Sequence, residues 1–222
     1  MFFYILEPNV NSDKLNWKNW PVKKIWPAVL LIAICSAIIL WIAPTESSIG
    51  KGILYVYIHV ALIQTGRVGL FFTALIGLIQ LITNKSHLRQ LILSAGWVSV
   101  VFYAVGTLVS ILAAIANWGV IFLAEPLYKY SALVLIFTSG ILISSEWVKS
   151  NRIVGAMTIG IALFLLWADS QVELVMHPDN PIGTSSSNGI KFTFLSLFLL
   201  NVIAAGLFIY KYFFKMTKVR TN

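Results

Sequence analysis

The chain has 222 residues, of which 59% are hydrophobic and only 11% charged, and its mean hydropathy is +0.86. So much apolar surface exceeds what one soluble core can bury, and the chain belongs in a bilayer. Its formal charge of +8 then reads as cytoplasmic ends facing anionic lipid, and nucleic acid is excluded as a partner.

Residues 1–24 carry Trp17 and Trp20 among lysines and show no small-residue cleavage site, so they read as an interfacial arm, not a removable signal peptide. Apolar runs of about 20 residues, the length a bilayer requires, then recur six times. They are expected over 25–43, stopping at Pro44, and over 53–83, 91–116, 130–147, 153–168 and 190–214. The second is longer than a hydrocarbon core of about 30 Å needs, so its outer turns are expected to project. The small residues Gly66 and Gly69, Gly155 and Gly160, and 204–206 are expected at close helix crossings. No internal repeat is evident. The predicted fold is a single all-α integral membrane domain over 1–222, with six transmembrane helices.

Charge sets the expected orientation. Lys14, Lys18, Lys23 and Lys24 precede the first run; Lys85 and Arg89 join the second to the third; Lys149 and Arg152 join the fourth to the fifth; Lys211, Lys215, Lys218 and Arg220 lie in or after the end of the sixth. Lys51, Lys129 and Lys191 fall on the other side, with Arg67 inside the second run. By the positive-inside rule both termini are cytoplasmic, in a multi-pass protein of the cell (plasma or inner) membrane. Residues 44–52, 117–130 and 169–189 then face outward.

The outward stretch 117–130 is far more aromatic and apolar than an ordinary solvated loop, and it shares its side with two of the three histidines. His59 lies on the outer turns of the second run and His177 in the loop before the sixth; His87, on the inner side, reads as solvated. Imidazole is the commonest protein ligand of haem iron, and two histidines from two outer segments can hold an iron from opposite faces over an aromatic support. The plainer alternative is that His59 bonds a backbone carbonyl and His177 is a loop residue beside Pro178. Arg67, two turns deeper than His59, is an ionisable group inside an apolar run and so a functional candidate. It can meet a carboxylate of a bound ligand, pair with Glu125, Asp169 or Glu173, or snorkel to the interface. Glu125-Pro126 is also an ordinary helix start. The single cysteine, Cys35, excludes an intramolecular disulfide and a cysteine metal cluster, and no C-x-x-C-H stands in the chain. No serine-nucleophile, phosphate-loop or zinc-protease motif is present, so no enzyme activity is expected.

The order of these elements resembles the cytochrome c maturation haem-handling proteins of the CcmC type, related to CcsA. Tyr57-Ile58-His59-Val60 is similar to that family's Tyr-Ile-His-Val-Pro, although Ala61 replaces the proline. Trp118-Gly119 is similar to the start of its tryptophan-rich segment, with Glu125 in the place of an aspartate and with Ile121, Phe122 and Ala124 at other aromatic places. Val172-Glu173 followed by His177 is similar to its second histidine stretch. The resemblance implies non-covalent haem b at the outer face, with His59 and His177 as axial iron ligands and Trp118, Gly119, Phe122, Glu125 and Arg67 around the macrocycle. It also implies presentation of haem to a haem chaperone, alongside a small single-span helper and ATP-binding transporter subunits. The alternatives are an integral subunit of a respiratory or electron-transfer complex, and a haem-free membrane scaffold or transporter subunit.

Overall fold

The computed structural model describes residues 25–121, 124–172 and 181–220. Among these residues it contains six helices and no strand: α1 (Ile25–Trp41), α2 (Ile53–Thr83), α3 (Ser86–Trp118), α4 (Pro126–Trp147), α5 (Asn151–Ser170) and α6 (Asn188–Arg220). Five of them, α2 to α6, are long and apolar enough to cross a membrane; α1 is equally apolar but has 17 residues. They mark a multi-pass membrane protein. Outward-facing side chains such as Leu30, Ile82, Leu108, Ile136 and Phe192 supply the apolar surface that lipid covers.

The helix ends follow local chemistry more closely than the apolar pattern does. Asn84 adopts a left-handed conformation, φ 53°, and its N–H closes α2 on the Gln80 carbonyl at 2.7 Å, so that two residues suffice to turn the chain into α3. His87, exposed, and Arg89, buried, therefore lie in the first turn of α3 instead of in a loop. At the other end Gly119, φ 71°, stops α3. Glu125 and Pro126 then start α4 in the ordinary way, with Pro126 in the first turn. The stretch 117–130 is thus shared between the last turn of α3, a short connection and the first turns of α4.

The antiparallel pair α2 and α3 is the spine. α5 lies along α2, α4 bridges α3 and α5, α6 packs on the opposite flank of the spine, and α1 packs on α6. Two close crossings set these distances. A Cβ on Gly66 would stand 2.7 Å from the backbone nitrogen of Tyr103, and one on Gly106 would stand 2.8 Å from that of Ile63, so α2 and α3 touch through their backbones. Gly77 and Gly155 do the same for α2 and α5, where a Cβ on Gly155 would meet the Gly77 carbonyl at 2.5 Å. Gly69, against the Ser99 side chain, and Gly155 thus have the packing role expected of them, whereas nothing lies within 4 Å of a Cβ on Gly206 and only one atom, at 3.9 Å, does so at Gly160.

Helix lengths make the bundle stepped. α2 and α3, of 31 and 33 residues, measure about 46 and 50 Å, whereas α4 and α5, of 22 and 20 residues, measure about 33 and 30 Å. At one end the helices are level, because the Arg89 guanidinium donates to the carbonyls of Ser145 and Glu146 in the last turn of α4. The excess length of the spine therefore rises beyond α4 and α5 at the opposite end. There the Tyr128 hydroxyl in the first turn of α4 reaches only to the Ser110 carbonyl, two turns short of the end of α3.

Candidate functional site

The step leaves a recess at the His59 end of the four helices α2 to α5. Its wall on α2 is His59, Ile63 and Arg67, successive residues four apart and so on one face of the helix. α3 contributes Tyr103 and Ser110, α4 contributes Leu127, Tyr128, Tyr130, Ser131 and Val134, and Ala168, Asp169 and Val172 close it from α5 and just beyond. The cavity volume is about 110 Å³, room for several waters or a small head group but below the roughly 300–1,000 Å³ of pockets that enclose a whole ligand. Beneath it lies an apolar floor of Leu70, Val100, Val134, Leu165 and their neighbours.

Arg67 is engaged by Asp169. Its Nη1 donates to Oδ1 at 2.8 Å and its Nη2 to Oδ2, a fork-to-carboxylate pair whose side chains are 27% and 37% exposed. Of the partners open to Arg67 on sequence grounds, this is the one the fold supplies. The reason is the step: Asp169, in the last turn of the short α5, stands at the level of Arg67 near the middle of the long α2. Deeper in the wall the Tyr103 hydroxyl donates to the Ser131 hydroxyl at 3.3 Å, tying α3 to α4.

The His59 ring bonds the Tyr55 carbonyl, one turn back, through Nδ1 at 3.1 Å. A carbonyl only accepts, so Nδ1 is the donor in this bond. The carbonyl bond is the plain interfacial role anticipated for this histidine. It is also the way ligating histidines are commonly oriented, with the remote nitrogen presented to a metal.

Trp118 is half-buried and Gly119 exposed at the end of α3, about two turns beyond Ser110, outside the recess lining. Glu125 is 1% exposed and heads α4, also outside that lining. Phe122 and His177 lie outside the described residues, as does the arm 1–24. Val172, which precedes the segment of His177, lines the recess, whereas Ile182, which follows it, is buried with Ile53, Val56 and Tyr57 on the other flank of α2. No group of three or more His, Cys, Asp or Glu that could hold a metal occurs among the described residues.

Tyr103, Ser110 and Ser131 were not singled out from the sequence. The signal for the first two is a polar stripe within an apolar run: Ser99, Tyr103, Gly106 and Ser110 recur at spacings of four, three and four, which is one face of α3. No protein-family model matches the chain, and no curated protein matches it.

Proposed function

We propose that the chain is a haem-handling protein of cytochrome c biogenesis, which holds haem b non-covalently at its outer end and presents it to a haem chaperone. The observation that carries this reading is the place of His59, which lines the recess with its Nδ1 held to the Tyr55 carbonyl at 3.1 Å. His59 and His177 would hold the iron, with Trp118, Gly119 and Phe122 as the supporting surface and Glu125 near it. In this reading α1 completes six spans, both termini are cytoplasmic, the recess faces outward from the cell membrane, and a small helper and ATP-binding transporter subunits are the companions. When bound, the haem supplies an iron whose redox state the axial ligands tune. The Tyr55 carbonyl orients the imidazole, and the recess of about 110 Å³ would hold no more than the edge of a macrocycle.

The test is an absorption spectrum of the purified protein, oxidised and reduced, beside His59→Ala and His177→Ala. Loss or displacement of the Soret band in both variants is expected; a band unchanged in either removes that residue as a ligand. The engagement of Arg67 by Asp169 favours a second reading, a haem-free scaffold or transporter subunit in which the ion pair latches α2 to α5. Absence of any haem band from protein made in a haem-replete host supports it.

A further inference from the structure

We infer that the recess is an oxyanion site for the head group of a membrane-borne amphiphile, with Arg67 as its anchor and Asp169 as an internal stand-in that the ligand displaces. The inference goes beyond haem handling and does not require it. Three features lead to it.

Asp169 is a poorly placed partner. It sits in the last turn of α5, which has no basic residue there and is capped by Gln171, so the helix dipole opposes its charge. Its side chain is also the more exposed of the two, 37% against 27% for Arg67, and water can solvate it when it leaves. Arg67, set in an apolar helix, has no such escape and needs an anion at that depth.

The recess is also rich in donors. Arg67 spends two of its five N–H groups on Asp169, and the hydroxyls of Tyr130 and Ser131 line the same space, whereas those of Tyr103 and Tyr128 donate to Ser131 and to the Ser110 carbonyl. Asp169 is the single carboxylate in that lining among the described residues. A carboxylate or phosphate is the complement of this set. The third feature is the mixed wall. Ile63, Leu127, Val134 and Val172 alternate with the polar groups, and the volume of about 110 Å³ admits a head group but not its chain. A ligand held here leaves its apolar body in the surrounding bilayer.

The experiment is equilibrium binding of labelled oleate to the full chain in a maltoside detergent, which offers no anion of its own. Oleate should bind saturably at one per chain. Arg67→Gln should weaken it about tenfold or more, the loss expected for a charge-assisted fork, whereas Asp169→Asn should tighten it several-fold by removing the competitor. A latch with no ligand predicts no gain in Asp169→Asn. Should Arg67→Gln not fold, the double variant R67Q/D169N, which strands no charge, must show the same weakening. Competition by dioleoyl phosphatidate but not by acetate or inorganic phosphate assigns a lipid source; competition by the free anions at similar concentration assigns a soluble one. Non-saturable binding, or equal affinity in all variants, overturns the proposal. The Soret band of the same preparations scores iron ligation separately, since His59→Ala removes the iron ligand and leaves Arg67 in place.

Discussion

Removal of Asp169 alone strands a guanidinium in an apolar helix, and its effect can be bounded from the geometry. Exposed ion pairs contribute about 0–1 kcal/mol, and breaking a fully buried pair costs about 3–5 kcal/mol. The Arg67–Asp169 pair is bidentate, with exposures of 27% and 37%, and so falls between these limits. Asp169→Ala is expected to destabilise by about 2 kcal/mol, and Arg67→Met by about 1 kcal/mol, because Asp169 at its helix end can turn to water. The double variant, with neither charge, is expected at about 1.5 kcal/mol, which leaves a coupling of about 1.5 kcal/mol. Unfolding followed by circular dichroism in mixed micelles of rising dodecyl sulfate content measures all four corners of the cycle. A coupling near zero, or an Arg67→Met more damaging than Asp169→Ala, would refute the argument that the fold holds this arginine by this one carboxylate.

The remaining expectations concern the frame. Gly66→Ala drives a Cβ to 2.7 Å from Tyr103 and should cost about 1–3 kcal/mol by prising α2 from α3, whereas Gly206→Ala, with open space around it, should change stability by less than about 0.5 kcal/mol in the same assay. Arg89→Ala leaves the Ser145 and Glu146 carbonyls without their donor and should cost about 2 kcal/mol, with faster hydrogen exchange confined to the last turn of α4. In the loop between α1 and α2, the Ser48 and Ser47 hydroxyls and the Ser48 and Ile49 amides hold the Glu46 carboxylate down to about 2 from its ordinary 4.5. A depressed acid stabilises the fold fully above 4.5 and loses that contribution as pH falls through about 2. The Ser48 and Ile49 amide resonances should therefore titrate near pH 2; a midpoint near 4.5 would show that the carboxylate is not held.

Much of the fold was legible because a bilayer enforces a single rule, that backbone groups pair within a helix while apolar side chains cover it. The six apolar runs each overlap one of the six helices, and α2 rises beyond α4 and α5 at the His59 end. Helix ends were less legible. The chemistry that decides them is local: a left-handed Asn84, a Pro126 in a first turn and an Arg89 capping another helix extend α3 and α4 into what the hydropathy pattern reads as loops. His59 stands out in the sequence as a candidate ligand, and Asp169 is one of the carboxylates open to Arg67. The choice between Asp169 and Glu125 was not legible, because it depends on how far α5 rises beside α2. The hydroxyl partners Tyr103 and Ser131 depend on a backbone contact through Gly66 and Gly106 that no one-dimensional pattern records.

The step between long and short helices links these observations to any function at the His59 end. Had α4 and α5 been as long as α2 and α3, the faces of α2 and α3 around His59 and Ser110 would be packed like the floor around Leu70 and Leu165, and Arg67 would lie deep in a closed bundle. Because α4 stops about two turns short of the end of α3 and α5 roughly four turns short of the start of α2, Arg67 has a carboxylate from a helix end instead of a helix side, and His59 stands over a space lined by tyrosines. The spine also carries Trp118 and Gly119 beyond the recess, about two turns past Ser110. In the two proposals a small anionic head group would sit within the step and a large macrocycle would rest on the raised ends of the spine. Arg67 and His59, about 12 Å apart along α2 at eight residues' separation, are the two side chains whose separate substitution distinguishes them.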